Sequence, residues 1–337
     1  MEERSVRMGP ILVTGATGFL GGAVVRELVV RGRLVRATGR NLQAGSILQA
    51  AGIPFTPCDL STDPLTLDGL TDGCEAVIHA AALSAPWGRR RDFVAANVTA
   101  TENVISSCAK AGVRRMVYIS SPSVNFAFQN QAGLKEESPW KAPAANHYIA
   151  TKRQAEYLAR KAGAVTLRPR ALFGAGDTAL LPRLVRVARR GVFPLFGSGD
   201  PLLELTWIGD AVTAILLAMD APDECRGRIY HITSGDPLPR SVVLATLLQA
   251  CGLAVRFRRV PIGLGLRIAG VMEAVSRGFT GGAWEPPLTR YTVGALGFEQ
   301  TYDITAARRD LGFAPKTNVR RALSICGEAW RQKEAAT

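Results

Sequence analysis

Paired cysteines, membrane-length apolar runs and acidic charge are what this sequence is short of, and each shortage excludes something. The six cysteines (Cys58, Cys74, Cys108, Cys225, Cys251, Cys326) are scattered, without a Cys-x-x-Cys pair and without a histidine nearby at metal-ligand spacing. They read as reduced, mostly buried thiols, and no metal site is expected. No apolar run approaches the ~20 residues that cross a bilayer, which argues against stable membrane insertion. The start, Met1-Glu2-Glu3-Arg4, lacks the basic-then-apolar order of a secretion signal. A cytoplasmic location is therefore expected, with residues 1–8 as a loose tail. Repeats, low-complexity segments and obvious linkers are missing as well.

Acidic residues number 28 against 41 lysines and arginines, a net charge of +13. Such an excess can mark a nucleic-acid binder. Here the basic residues are dispersed, with clusters only at Arg89-Arg90-Arg91, Arg189-Arg190 and Arg320-Arg321. No basic stripe interleaved with aromatics occurs. A solvated, arginine-rich surface and an anionic cofactor account for the charge better than RNA or DNA.

What the chain does have is a large apolar share, 47% of 337 residues, enough for one large α/β domain with a smaller lobe. Near its start, Ile11-Leu12-Val13 reads as a buried parallel strand. Thr14-Gly15-Ala16-Thr17-Gly18-Phe19-Leu20-Gly21 follows, and Gly22 to Val30 carries a helical pattern. Glycines at that spacing make a tight turn, let backbone approach a pyrophosphate and let the helix pack close to the strand. Phosphates would sit on the free N–H groups at the helix start. This assigns Gly15, Thr17, Gly18, Phe19, Leu20 and Gly21 to a dinucleotide.

The second strand, Arg33 to Thr38, leads to Gly39-Arg40, where NAD-binding folds carry an acidic residue for the ribose hydroxyls. With no carboxylate there and a guanidinium beside it, NADP(H) is preferred and NAD(H) stays allowed. Ile53 to Pro57 is short and extended, and Cys58-Asp59-Leu60 follows it. Ala76 to Ala82 reads as the fourth strand, ending in small residues so that a cofactor can lie against Ala80, Ala81 and Ala82. His79 within it reads as a packed strand residue and not as a catalyst. Ala96-Asn97-Val98 leads into a helix through Cys108, and Arg115 to Ser121 is the fifth strand. Tyr148 and Lys152 stand four apart in a helical segment that runs to Lys161, which puts them on one face.

Thr14-Gly15-x-x-Gly18-x-x-Gly21, Asp59-Leu60, His79-Ala80-Ala81, Asn97-Val98, Ser120-Ser121 and Tyr148-x-x-x-Lys152 together resemble an extended short-chain dehydrogenase/reductase, over nearly the whole chain. Ala85-Pro86-Trp87-Gly88, the stretch Pro286 to Val293, Tyr302-Asp303-Ile304 and Leu311-Gly312-Phe313 are similar to its 3β-hydroxysteroid dehydrogenase-like subgroup. That subgroup includes bacterial reductases of 2-alkyl-3-keto acids. The resemblance implies a Rossmann-type doubly wound parallel sheet over residues 1–174, completed by parts of 202–234. A smaller mixed, mostly helical substrate lobe would fill 175–337. It also implies that Asp59 and Leu60 meet the adenine side of the cofactor. Pro169, Ala171 and Leu172, within Leu167 to Gly174, would meet the nicotinamide, with Asn97 and Ser120 in the same cofactor set.

The loop Ser120-Ser121-Pro122-Ser123 offers Ser121 or Ser123 as the catalytic hydroxyl. Counting back from Val124, as those families' loops run, favours Ser121 and leaves Ser123, with Trp87, for the substrate. A tyrosine with a pKa of about 10 is a poor acid–base catalyst at neutral pH. Lys152 would favour its anion and hold the nicotinamide ribose, while Ser121 steadies the carbonyl oxygen. Tyr148 would then exchange the proton as hydride passes to or from the substrate carbon.

Beyond Gly174, Leu180 to Arg190 reads as a basic amphipathic helix and Phe193 to Gly199 as an apolar loop. Trp207-Ile208-Gly209-Asp210 opens another helix. Val260 to Phe279 is unusually apolar and reads as core of the smaller lobe. A greasy substrate wall or a patch touching membrane lipid are the sharper accounts of it. With Trp87, it favours a hydrophobic small-molecule substrate: a 3-keto or 3-hydroxy acid, or a sterol-like or polyketide-like ketone. The expected activity is NADP(H)-dependent interconversion of ketone and secondary alcohol. A nucleotide-sugar epimerase or dehydratase and a non-catalytic dinucleotide-binding protein are the alternatives, and the intact Tyr/Lys pair opposes the second. A homodimer is allowed.

Overall fold

Strands covered on both faces lose polar alternation and become short apolar runs, which is how Ile11–Thr14 and Ala76–His79 enter the sheet wholly buried. The computed structural model describes residues 9–335, and the tail expected over residues 1–8 lies outside them. In chain order the strands are β1 (Ile11–Thr14), β2 (Val35–Gly39), β3 (Phe55–Pro57), β4 (Ala76–His79), β5 (Arg115–Ile119), β6 (Gln131–Leu134), β7 (Val165–Pro169) and β8 (Leu172–Phe173). They continue as β9 (Val192–Phe196), β10 (Leu202–Leu203), β11 (Thr206–Trp207), β12 (Ile229–Ile232), β13 (Leu238–Pro239), β14 (Arg256–Val260) and β15 (Gln300–Tyr302). Seven form one sheet in the order β12-β7-β5-β4-β1-β2-β3, and its neighbours are all parallel. The order reverses between β1 and β4. Open α/β sheets leave a crevice there, at the strands' carboxyl ends.

Side chains alternate across this sheet with period two. Ile11 and Val13 join a core with the Phe19–Val30 and Ile208–Asp220 helices. Leu12, Val77, Met116 and Tyr118 join another with the Ala100–Lys110 and His147–Lys161 helices. A separate core, with Phe173, Leu184, Phe193, Leu244, Leu247 and Leu323, holds the C-terminal elements. All six cysteines are free and buried. His79 is also buried, with Nδ1 2.7 Å from the Thr14 hydroxyl and Nε2 3.0 Å from that of Thr101. Burial holds its pKa down to about 3, so it is a neutral packing residue, as its place in a strand suggests.

Several sequence expectations need correction. Phe193 to Gly199 is no loop: β9 takes in Phe193 to Phe196 and pairs in parallel with β14. Pro194 is tolerated because β9 has a neighbour on one side only, so its missing N–H breaks no ladder there. Ala80 to Ala82 and Ser120-Ser121 lie just past the ends of β4 and β5. A second sheet, β13-β10-β15-β6, had no counterpart in the sequence reading.

The largest correction concerns Val260 to Phe279. Ile262–Thr280 is a helix whose wholly buried residues are Gly265, Ala269, Glu273 and Ser276; Ile262 and Leu266 are half-buried against a core of Phe196, Ala269 and Val293, while Leu264, Ile268, Val271, Val275 and Phe279 face outward. Close approach dictates this: a Cβ on Gly265 would lie 2.7 Å from the Phe196 ring. The segment is therefore lobe core on one side only: Val260, Ile262, Leu266 and Ala269 pack with Phe196 and Val293, and the outward stripe does not.

Candidate active site

Where β1 and β4 part, Gly15, Thr17, Gly18, Thr38, Gly39, Arg40, Asp59, Leu60, Ala80, Ala81 and Ala82 line a cleft that opens to solvent. Gly15 has φ +68°, and a Cβ on it would stand 2.8 Å from Ala81 N and Cα. The turn therefore presses directly on the Ala80-Ala81 backbone. Gly18 caps the Phe19–Val30 helix without a side-chain bond, and the first turn carries no acidic residue. The first helical bond runs from Gly22 N–H to the Gly18 carbonyl. The N–H groups of Phe19, Leu20 and Gly21 are left as free donors at a positive dipole end. Bare backbone and free N–H groups at the cleft fit a dinucleotide pyrophosphate.

The adenosine end is polar. Asp59 Oδ1 accepts from Ser61 N at 3.0 Å and from Ser61 Oγ at 2.6 Å. These bonds, more than Arg40, hold the Asp59 carboxyl below its ordinary pKa. Arg40 Nη1 lies 3.9 Å from Asp59 Oδ2 with its side chain mostly exposed. The missing carboxylate at Gly39 has a packing reason: a Cβ there would meet Thr17 Oγ1 at 2.5 Å.

Asn146 caps the His147–Lys161 helix, its Oδ1 accepting from Ile149 N at 2.9 Å. That fixes where Tyr148 and Lys152 project. Burial around the Tyr148 hydroxyl raises its pKa, and the Ser121 and Ser84 hydroxyls beside it pull the other way. Ser121 Oγ is 2.8 Å from Ser123 Oγ and accepts from Ser123 N at 3.3 Å. Ser123 is buried and Ser121 partly open, so Ser121 is the hydroxyl that faces Tyr148.

Lys152 is buried, and its Nζ donates to the Ile119 carbonyl at 2.7 Å and to Tyr118 OH at 3.3 Å. Nζ also stands 4.9 Å from the Tyr118 ring centroid. Burial brings the Lys152 pKa down to about 7 against the upward pull of Glu156. Lys152 is not among the groups that shift Tyr148 in this arrangement. The serines are.

The remaining predicted residues separate into site and support. Asn97 sits in a π-helical turn, Val94–Thr99. Its Oδ1 accepts from Leu83 N, while its Nδ2 donates to the Leu83 carbonyl and to Thr151 Oγ1. It ties the loop after β4 to the Tyr148 helix. Ser120 gives its hydroxyl to Glu156 at 2.7 Å, so that side chain is taken. Pro169 is buried at the end of β7. Ala171 has φ +42°, a strained conformation for a residue with a Cβ, and Leu172 begins β8. Trp87 Nε1 donates to Ser276 Oγ at 3.0 Å, which pins the Trp87 loop to the Ile262–Thr280 helix. Phe126 packs edge-on against Phe128 and Tyr291, with centroids 5.0 and 5.1 Å away, and Tyr291 is close enough to bear on Tyr148. Ser84, Tyr118 and Tyr291 were missed by motif reading.

The model of the NAD dependent epimerase/dehydratase family matches residues 11–233, which include the cleft and the Tyr148/Lys152 pair. The chain is 36% identical to a 2-alkyl-3-oxoalkanoate reductase of Stenotrophomonas maltophilia, over 93% of this chain and 97% of the relative. It is 30% identical to a 3 beta-hydroxysteroid dehydrogenase/Delta 5-->4-isomerase of Mycobacterium tuberculosis, over 99% of this chain and 96% of the relative. Among solved structures it is similar to MoeE5 in complex with UDP-glucose and NAD, with 25% identity and a TM-score of 0.72 over 97% of this chain and 100% of that one. The chain belongs to the NAD dependent epimerase/dehydratase family, as an NAD(P)-dependent oxidoreductase of the extended short-chain dehydrogenase/reductase kind, on its 3β-hydroxysteroid dehydrogenase-like side.

Proposed function

We propose that the protein is an NADP(H)-dependent ketoreductase that interconverts a ketone and a secondary alcohol on a hydrophobic substrate, a 2-alkyl-3-keto acid being the first candidate. The observation that carries this is the meeting of the Tyr148 and Ser121 hydroxyls beside an aromatic group, Phe126, Phe128 and Tyr291. The relative named as a 2-alkyl-3-oxoalkanoate reductase supports the substrate class. When bound, the nicotinamide supplies or accepts the hydride. Gly15, Gly18 and the N–H groups of Phe19 to Gly21 would hold the pyrophosphate, and Lys152 the nicotinamide ribose.

In the reducing direction Tyr148, neutral because burial raises its pKa, gives its proton to the substrate oxygen. Ser121 donates a hydrogen bond to the same oxygen and stabilises the charge that gathers there. Removing that donor with Ser121→Ala should lower turnover about a hundredfold with little change in cofactor binding. Ser123→Ala, which loses only a hydroxyl packed behind Ser121, should be milder. Steady-state rates and cofactor titrations of the two variants check the order.

A second reading, a nucleotide-sugar epimerase or dehydratase, draws support from the likeness to MoeE5 with UDP-glucose. The two separate in one experiment: loss of NADPH absorbance with 2-alkyl-3-keto acids, set beside product analysis with UDP-sugars. Turnover of the keto acids supports the ketoreductase, and turnover of UDP-sugars alone defeats it. The cofactor choice has its own test. Arg40 is the cation available for a 2′-phosphate, and Gly39 brings no carboxylate to oppose one. Wild-type protein should bind NADPH more tightly than NADH, and Arg40→Ala should remove about tenfold of that preference. Equal wild-type affinities in a fluorescence titration would refute the assignment.

A further inference from the structure

The Ile262–Thr280 helix turns small residues inward and lays Leu264, Ile268, Val271, Val275 and Phe279 along its outer face, 42% to 87% exposed. The spacing, four then three then four and four, is one continuous stripe on a helix. An apolar stripe left on the surface of a folded domain marks an interaction site. The charge beside it says with what.

Residues 256–284 hold five arginines, Arg256, Arg258, Arg259, Arg267 and Arg277, and all are exposed. The one acidic residue in that stretch, Glu273, is buried and bound by Arg290, whose Nε lies 2.9 Å away. At the helix's C-terminal end Arg277 stands 5.3 Å from the Trp87 ring centroid, and both Arg277 and Arg90 bear on His147. Arg90, from the Arg89-Arg90-Arg91 cluster that the cofactor site leaves unexplained, is therefore near this C-terminal end of the helix. A second copy of the chain is a poor occupant, because a two-fold contact sets the same arginines against one another.

We propose that this face docks on an anionic phospholipid bilayer, with the apolar stripe entering the acyl boundary and the arginines on the headgroups. The Trp87–Ser276 hydrogen bond couples the docked helix to the loop next to the active site.

The test is co-sedimentation with vesicles of phosphatidylcholine, with and without phosphatidylglycerol, without cofactor or substrate. Wild-type protein should pellet with the anionic vesicles, weakly with the neutral ones, and less as salt rises. Val271→Asp/Phe279→Asp, at outward positions with the core left intact, should lower anionic-vesicle binding at least about tenfold. Arg267→Gln/Arg277→Gln should lower it severalfold. Absence of pelleting on anionic vesicles overturns the proposal, and so does undiminished pelleting of Val271→Asp/Phe279→Asp. A wild-type dimer in sedimentation velocity that dissociates in that variant would assign the face to a second copy instead. No turnover is measured, so the outcome stands apart from the ketoreductase assignment.

Discussion

Tyr148→Phe is expected to lower turnover by about 10²–10⁴-fold, the range typical of losing a general acid. The substitution removes one oxygen and keeps the ring, so the capped helix and the cleft should persist. Cofactor affinity should barely change, because the backbone N–H groups that would receive the pyrophosphate lie on another element. The environment of the hydroxyl sets a second expectation. Burial raises the Tyr148 pKa, with Ser121 and Ser84 opposing, so the neutral phenol prevails throughout the physiological range. Ketone reduction, which needs the proton on Tyr148, should hold steady through neutral pH and decline only as the phenol ionises. Alcohol oxidation needs the phenolate and should rise with pH over the same window. Stopped-flow hydride transfer on an accepted keto acid, in both directions and with both proteins, measures this. A Tyr148→Phe enzyme with near-wild-type transfer would remove Tyr148 from the chemistry.

The parts of this site legible in the sequence are those whose geometry is local. The glycine turn and the first helix follow from residue spacing over a dozen positions, and Tyr148 and Lys152 share a face because four residues make about one helical turn. The small residues Ala80, Ala81 and Ala82 were placed against the cleft for the same reason. Ser84, Tyr118 and Tyr291 could not be read this way. They reach the site from a loop, a strand and a distant helix; Tyr291 lies in the Pro286 to Val293 stretch that carries the subgroup likeness, but nothing local ties it to the Tyr148 hydroxyl. Tyr118 is informative: within β5 it points to the Leu12 side of the sheet, where Lys152 comes down on it. Only strand pairing decides that.

The second sheet was hidden for a related reason. Its strands have two to four residues and join Gln131 to Gln300 and Leu203 to Gln300, too short for a period and too far apart for a motif. In the Ile262–Thr280 helix the periodicity was visible but its sense was ambiguous. A stripe of glycine, alanine and serine runs opposite a stripe of large apolar side chains. Contact distance to Phe196 requires a small residue at Gly265, and Ile262 and Leu266 pack beside it on the same side.

The second large effect concerns stability. Arg168 and Glu156 are 3% and 4% exposed, with Nη2 to Oε1 at 2.6 Å and Nε to Oε2 at 2.8 Å. Ser120 donates to the same carboxylate, and Arg168 Nη1 reaches Asn125 Oδ1 at 3.1 Å, the Glu136 carbonyl at 3.2 Å and His231 Nε2 at 3.2 Å. Since the guanidinium only donates, His231 must accept at Nε2 and carry its proton on Nδ1, which faces the Leu134 carbonyl at 3.1 Å. Burial, with Arg168 adding to it, holds that imidazole neutral, with its pKa down to about 3. Arg168→Met leaves Glu156 charged, buried and without its cation, and should cost about 3–5 kcal/mol of folding stability. Arg168→Met/Glu156→Leu removes both charges and should recover much of that loss, because desolvating the pair offsets most of its attraction. Recovery should be incomplete, since Ser120, Asn125 and His231 also lose partners. Denaturant unfolding of the three proteins measures the cycle. A single variant within about 1 kcal/mol of wild type would place the pair among weakly contributing surface contacts, and a double variant no more stable than Arg168→Met would show that the network around the charges, not the charges themselves, holds β7 to the Tyr148 helix.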